Sequence, residues 1–189
     1  MALAYERHRI SIEEYHRMVD AGVFEPGSRV ELIRGELIEQ MAPIGTLHTS
    51  TTARIMRVLL RSLGDRAHVN CQTPVTLPDD SEPEPDFTVA RPDARSYFDH
   101  HPYPQDLLLV IEIAESSLDF DREVKAPLYG QSGVGEYWIV DAVNRVVRIY
   151  REPSARGYEI QRILRAGDSI APLAFPNDAL GVDDLLPPQ

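Results

Sequence analysis

The chain has 189 residues, the size of one globular domain with one core, and its 43% hydrophobic and 26% charged residues exclude a disordered or collagen-like polymer. Asp and Glu number 30 against 19 Lys and Arg, a net charge of −11, so the surface as a whole repels nucleic acid and anionic membranes. A nucleic-acid role therefore needs local basic patches. A single cysteine, Cys71, allows neither an intrachain disulfide nor a cysteine-based zinc site. The stretch Met1 to Arg7 has no apolar signal core, and the longest apolar run, Leu107 to Ala114, is too short for a bilayer. The expectation is a cytoplasmic protein with no membrane insertion.

Ser11 and Glu14 form a capping-box pattern, and Ile12, Tyr15 and Val19 follow at helical spacing, which predicts a first helix from about Ser11 to Gly22. Val30 to Arg34 and Glu36 to Glu39 flank Gly35 and read as an antiparallel hairpin with a tight turn. From Thr46 to Leu63 the apolar residues Ile55, Val58, Leu59 and Leu63 line one helix face that ends at Gly64, while Arg54, Arg57 and Arg61 lie on another. Strands follow near His68 to Gln72 and Asp86 to Ala90, separated by a Pro/Asp/Glu-rich link. Arg91 to Asp106 is polar, with prolines, His100 and His101, and reads as a surface loop. Leu107 to Ile113 is the most buried-looking strand. A helix is expected over roughly Asp121 to Tyr129, with Pro127 either kinking it or marking a first turn. Tyr137 to Val140, Val146 to Tyr150 and Tyr158 to Leu164 read as a strand meander, and Gly-Val-Asp-Asp-Leu-Leu as a short C-terminal turn or helix. The order predicts a single α/β domain over 1–189, with a central mixed β-sheet flanked by helices.

Glu112 is the informative residue. A carboxylate inside Leu-Leu-Leu-Val-Ile-Glu-Ile needs a partner or a metal, because an unpaired buried charge is very costly. By itself it would read as a strand-end acid facing water or an arginine. It is accompanied by Asp86, 112 − 86 = 26 residues earlier, and by Lys125, 125 − 112 = 13 residues later. Two carboxylates and a lysine at one sheet end can bind a hard divalent cation and a phosphate oxygen together.

Several motifs occur in one order: Glu-Leu-Ile-Arg-Gly-Glu-Leu-Ile (31–38), a Pro-x-x-x-x-His run ending at His48, and Pro85-Asp86. Val-Ile-Glu-Ile-Ala-Glu-Ser-Ser (110–117), Asp121 with Lys125 and then Tyr129, and Gly-Val-Gly-Glu-Tyr-Trp-Ile-Val-Asp (133–141) follow. With these the sequence resembles the Uma2 family of the restriction endonuclease-like PD-(D/E)xK superfamily, over about residues 11 to 186. The resemblance implies Asp86 as the aspartate of the PD motif, Glu112 as the second acid, Glu31 as an acid from the N-terminal element, and Lys125 as the catalytic lysine. In the superfamily's usual arrangement the lysine stands two residues after the glutamate, where this chain has Ala114. Lys125 reaches the site only if its helix packs over the strand ends.

The leading expectation is a Mg²⁺-dependent endonuclease hydrolysing DNA phosphodiester bonds, with Mn²⁺ able to substitute. Asp86 and Glu112 hold the metal, Glu31 assists, and Lys125 stabilises the transition state. The alternative is a catalytically inactive binding or assembly module on the same fold. Hydrolysis of a small phosphorylated substrate lacks a phosphate-cradling glycine loop to support it. His48 is either a substrate contact or proton relay, or an exposed histidine near a helix cap. Asp121 is expected to pair with Lys125 at i,i+4, and Tyr129 to pack in the core. Arg54, Arg57 and Arg61 are a solvated face or a phosphate-facing stripe for DNA, and Arg148, Arg162 and Arg165 a second small patch. The superfamily resemblance implies a homodimer.

Overall fold

Hydrophobic alternation on the strands and period-3.6 apolar stripes on the helices set the layers. A computed structural model describes residues 7–39 and 45–187. Met1 to Glu6 and Pro43, where the histidine motif begins, lie outside the described residues.

Helix α1 (Ile12–Asp20) starts on Ser11, whose hydroxyl accepts the Glu14 amide while the Glu14 carboxylate accepts the Ser11 amide, so both halves of the capping box are made. Strands β1 (Val30–Ile33) and β2 (Glu36–Glu39) pair antiparallel through Arg34 and Gly35. Both turn residues have positive φ (52° and 74°), as a two-residue hairpin turn that follows the strand twist requires. The long helix α2 (Thr46–Leu63) has the bounds its apolar stripe predicts, and Ile55, Leu59 and Leu63 are buried.

The main sheet has six strands in the order β3-β4-β5-β6-β7-β8. These are β3 (His68–Cys71), β4 (Phe87–Ala90), β5 (Leu107–Ala114), β6 (Glu136–Asp141), β7 (Val146–Ser154) and β8 (Gly157–Arg165). All neighbours are antiparallel except β5 and β6. That parallel pair needs a crossover, supplied by the helical segment between them. Successive residues of β5 therefore enter two cores. Leu109, Ile111 and Ile113 join Trp138, Val140 and Ile149 under α2. Val110 and Ala114 join Tyr129, Tyr137 and Ile139 on the other face.

The crossover differs from its expected bounds. It begins as α3 (Leu118–Phe120), passes through a π-helical stretch (Asp121–Lys125) and ends as α4 (Ala126–Gln131). Pro127 lies in the first turn of α4, where its missing N–H leaves no bond unmade. The amide of Ala126 reaches back five residues to the Asp121 carbonyl, which widens the turn that carries Lys125. At the far end of α4, a Cβ on Gly130 would overlap the Gly157 carbonyl, so this glycine lets the helix lie directly on the start of β8. The C-terminal segment adds the short strands β9 (Ser169–Ile170) and β10 (Leu180–Gly181) and helix α5 (Val182–Leu185), whose Val182 and Leu185 close the core beneath α2. Among the described residues no helix is long and apolar enough to cross a membrane.

Candidate functional site

The prolines at 83 and 85 have no amide hydrogen to offer a ladder, so regular pairing of β4 with β5 starts at Phe87 opposite Ile111. Asp86, one residue earlier, lies beside Glu112. The two acids interlock with each other's backbone: Asp86 Oδ2 accepts the Ile113 amide at 2.8 Å, and Glu112 Oε2 accepts the Asp86 amide at 3.3 Å. Both are 4% exposed.

The hairpin supplies the third acid. Glu31 on β1 accepts the Glu84 amide at 2.8 Å, while the amide of Glu82 donates to the Leu32 carbonyl at 2.7 Å, which ties the hairpin to the segment leading into Asp86. The π-helical stretch then directs Lys125 inward. Its Nζ donates to Glu112 Oε1 at 2.8 Å and to Glu31 Oε1 at 3.0 Å, and lies 5.9 Å from the centre of the Phe120 ring. Lys125 is 1% exposed. The helix does pack over the strand ends, so the lysine occupies the site from outside β5.

Tyr129, one helical turn after Lys125, is fully buried, and its hydroxyl donates to Glu112 Oε1 at 3.3 Å. It packs in the core, on Tyr137 at a ring distance of 5.0 Å, and also orients the carboxylate. Sequence reading found only the first role, because helical spacing reports the face of a residue and not what its polar tip meets.

His48 enters from the first turn of α2. Its Nε2 stands 3.0 Å from Asp86 Oδ1, at ion-pair distance though not aligned as a hydrogen bond, and its side chain is only 12% exposed. The exposed-cap reading is therefore corrected: the ring is held against the site by the start of the helix. That start lacks a capping side chain of its own, since Gly45 is the N-cap. The carboxylate of Glu115, just past β5, replaces it by accepting the His48 amide at 3.3 Å. An anion at a helix N-terminus is favoured by the helix dipole.

The expected Asp121–Lys125 pair is replaced by other contacts. Asp121 accepts the Ser117 hydroxyl at 2.6 Å, and Lys125 turns to Glu31 and Glu112. The acids that surround the lysine outside the α3–α4 segment compete successfully for its amine.

Burial dominates the electrostatics. It raises the Glu112 carboxyl well above its usual range, against the opposing pull of Lys125. Burial raises Asp121 to about 6. For Lys125, burial acts downward, but Glu112, Glu31 and Asp121 together hold the ammonium above its ordinary value. The Asp86 carboxylate raises His48, and burial raises the half-buried Glu84. Glu84 and Arg29, whose charge acts on both Glu84 and His48, border the site and were not singled out in the sequence. Only tertiary contact brings them here.

Residues 12–183 match the family Uma2, described as "Putative restriction endonuclease". The chain belongs to the Uma2 family. A crystal structure of a putative nuclease belonging to DUF820 from Anabaena variabilis is similar, with a TM-score of 0.72 and 17% identity, over 93% of this chain and 97% of that one. That likeness shows the fold, which is restriction endonuclease-like. No curated protein matches the chain.

Within this Uma2 chain the arginine stripe stands apart from the acids. Arg54, Arg57 and Arg61 begin roughly 9 Å beyond His48 along α2, at 1.5 Å per residue. They line an open groove of about 530 Å³ with Leu180, Gly181 and Asp184. Arg54 donates to the Asp183 carbonyl at 3.0 Å, so this groove lies between α2 and the C-terminal segment. In the second patch, Arg148 is drawn to Asp141 at 3.5 Å.

In donor type, neighbouring carboxylates such as Asp86 and Glu112 suit a hard cation, since Mg²⁺ asks for one or two such ligands with water completing its shell. In this structure Lys125 and backbone amides engage their oxygens. Among the described residues no group of three or more His, Cys, Asp or Glu side chains is placed to hold a metal ion.

Proposed function

We propose that this chain is a divalent-metal-dependent endonuclease that hydrolyses phosphodiester bonds in DNA. The observation that carries the reading is the contact of Lys125 Nζ with Glu112 Oε1 at 2.8 Å beside Asp86, a cation and two carboxylates brought to one sheet end from three separate segments. Burying such a cluster carries a desolvation cost that a catalytic role would repay.

Asp86 and Glu112 would hold Mg²⁺, or Mn²⁺ in its place. When bound, the ion supplies Lewis-acid polarisation of a phosphoryl oxygen and lowers the pKa of a water. Lys125 carries positive charge to the oxygens on which negative charge develops. Glu31 holds the lysine stem in register, and Tyr129 fixes the rotation of Glu112. His48 Nε2, next to Asp86, is the group able to hold or pass a proton at the mouth of the site. Arg54, Arg57 and Arg61 would meet phosphates along α2, a local patch against the overall acidic field. The family resemblance extends to a homodimer, as the working assembly of the chain.

Plasmid nicking with Mg²⁺ or Mn²⁺ tests this reading. Wild type should nick, and Asp86→Ala and Lys125→Ala should lose at least about a hundredfold in rate, as for loss of a principal electrostatic catalyst. Equal rates in all three would leave the inactive-module alternative in its place.

A further inference from the structure

The connection between β4 and β5, residues 91–106, is a built surface and not a slack loop. Asp93 Oδ1 accepts the amides of Arg95 and Tyr97 at 2.9 and 3.0 Å, and the Tyr97 hydroxyl donates to the Arg91 carbonyl at 2.8 Å. The Tyr103 amide donates to Asp106 Oδ2 at 2.9 Å, and the Thr76 amide to the Pro102 carbonyl at 3.0 Å. Ser96 and Tyr97 hold positive φ angles of 54° and 56°, which side chains of their kind rarely adopt, and the half-buried Tyr97 ring packs one side against the core.

What this scaffold presents is a run of rings. His68 and Tyr97 meet edge-on at 5.8 Å, Tyr97 and His100 edge-on at 5.7 Å, and His100 stacks on Tyr103 at 5.2 Å with an interplanar angle of 26°. Phe98 is 80% exposed, with the Arg95 guanidinium 5.3 Å from its ring centre. Tyr97, Phe98, His100 and Tyr103 border a groove of about 480 Å³ that α1 also lines, through Ile12, Glu13 and His16. The groove is tied to the carboxylate cluster through the segment that carries Glu82 and Glu84. His16 Nε2 lies 2.8 Å from Glu82 Oε1, Thr76 donates to Glu82 Oε2 at 3.3 Å, and two residues on the Glu84 amide is bonded to Glu31.

We propose that this groove binds unpaired nucleobases of a DNA strand whose backbone lies at the carboxylate–lysine site. Exposed ring faces stack with any base, and carboxylates and imidazoles can accept or donate to base edges. The polar groups at the groove, Glu13, Asp99, His16, His100 and His101, suit base amino and keto groups better than phosphates, which the acids repel. A paired helix keeps its bases stacked inside and cannot offer their faces. The substrate is therefore single-stranded, gapped or frayed at the bases beside the cut. This inference rests on the nuclease reading above and adds the substrate class.

The test is fluorescence anisotropy with a labelled oligothymidylate and a matched duplex, in chelator so that nothing is cut. Wild type should hold the single strand more tightly than the duplex. His100→Ala with Tyr103→Ala should weaken single-strand binding about five- to a hundredfold, the range that stacking on one or two rings supplies, and leave duplex binding within about twofold. Phe98→Ala, at the most exposed ring, should weaken it in the same direction without touching the fold. Unchanged single-strand binding in both variants, or equal binding of duplex and single strand by wild type, overturns the proposal. Ring-dependent binding in a protein that never cuts supports the groove and removes the nuclease reading, so the two failures are distinguishable.

Discussion

Lys125 follows Glu112 by 13 residues, yet its ammonium lies 2.8 Å from the Glu112 carboxylate. A lysine two residues after the acid on β5 would lean from the strand itself. Here position 114 is a buried alanine that packs among Val110, Tyr129 and Ile139, and the cation arrives from the crossover instead. The π-helical stretch and Pro127 are the local features that deliver it.

Removing that cation should destabilise the fold as well as slow the reaction. Lys125→Met leaves Glu31 and Glu112 buried without their shared partner, and breaking a buried ion pair costs about 3–5 kcal/mol. Urea denaturation should show this loss, and Lys125→Met combined with Glu112→Gln should recover part of it. Independent, additive effects would mean that the lysine and Glu112 are not coupled.

Stability should fall as pH rises through the acidic range. Asp121 is raised from 3.8 to about 6, so between those values the folded chain binds more protons than the unfolded one. Its burial penalty is absent below about 4 and complete above about 6. The thermal midpoint of wild type should be lower at pH 7 than at pH 5. Asp121→Asn, which cannot ionise, should flatten that difference and raise the midpoint at pH 7. A slope identical to wild type would remove Asp121 as its source.

Divalent metal should stabilise the chain. Mg²⁺ or Mn²⁺ binding at Asp86 and Glu112 adds about 2.7 kcal/mol when the ion stands at about a hundred times its Kd. Differential scanning fluorimetry should show a rise in wild type that EDTA reverses, and a much smaller one in Asp86→Ala. No rise at millimolar ion in wild type would count against the site.

The contact of Glu115 with the start of α2 should behave as a helix cap. Glu115→Ala should destabilise by about 1 kcal/mol, as cap losses do. Gly45→Ala places a Cβ 2.5 Å from both Glu115 oxygens and should push the carboxylate off the helix, with a similar loss. The double variant should cost little more than either one. Additive losses would show that the two substitutions act at separate points.

The hairpin, α2 and the antiparallel strands were legible because their signals are local. Gly35 permits its turn, the stripe Ile55, Leu59, Leu63 defines its helix, and short apolar runs separated by polar turn residues mark β6 to β8. The crossover was legible only in part. Asp121 to Tyr129 has helical composition, but a π turn adds one residue through backbone bonding that side-chain periodicity does not record. Among the site residues, Glu112 announced itself as an acid in an apolar strand. Glu84, Glu115 and Arg29 did not, since each is an ordinary polar residue in a polar segment.

From the sequence alone came the α/β class, nearly every element and three of the charged residues, Asp86, Glu112 and Lys125, because periodicity, turn chemistry and an out-of-place charge are written along the chain. Glu31 entered through the family resemblance. Which charges meet was decided in three dimensions. Lys125 leaves Asp121, its neighbour at i,i+4, for two acids from distant strands, and His48 turns from solvent to Asp86. Burial makes the difference. Once water is excluded, a charge is held by the partners that packing brings within about 3 Å, and sequence separation no longer counts.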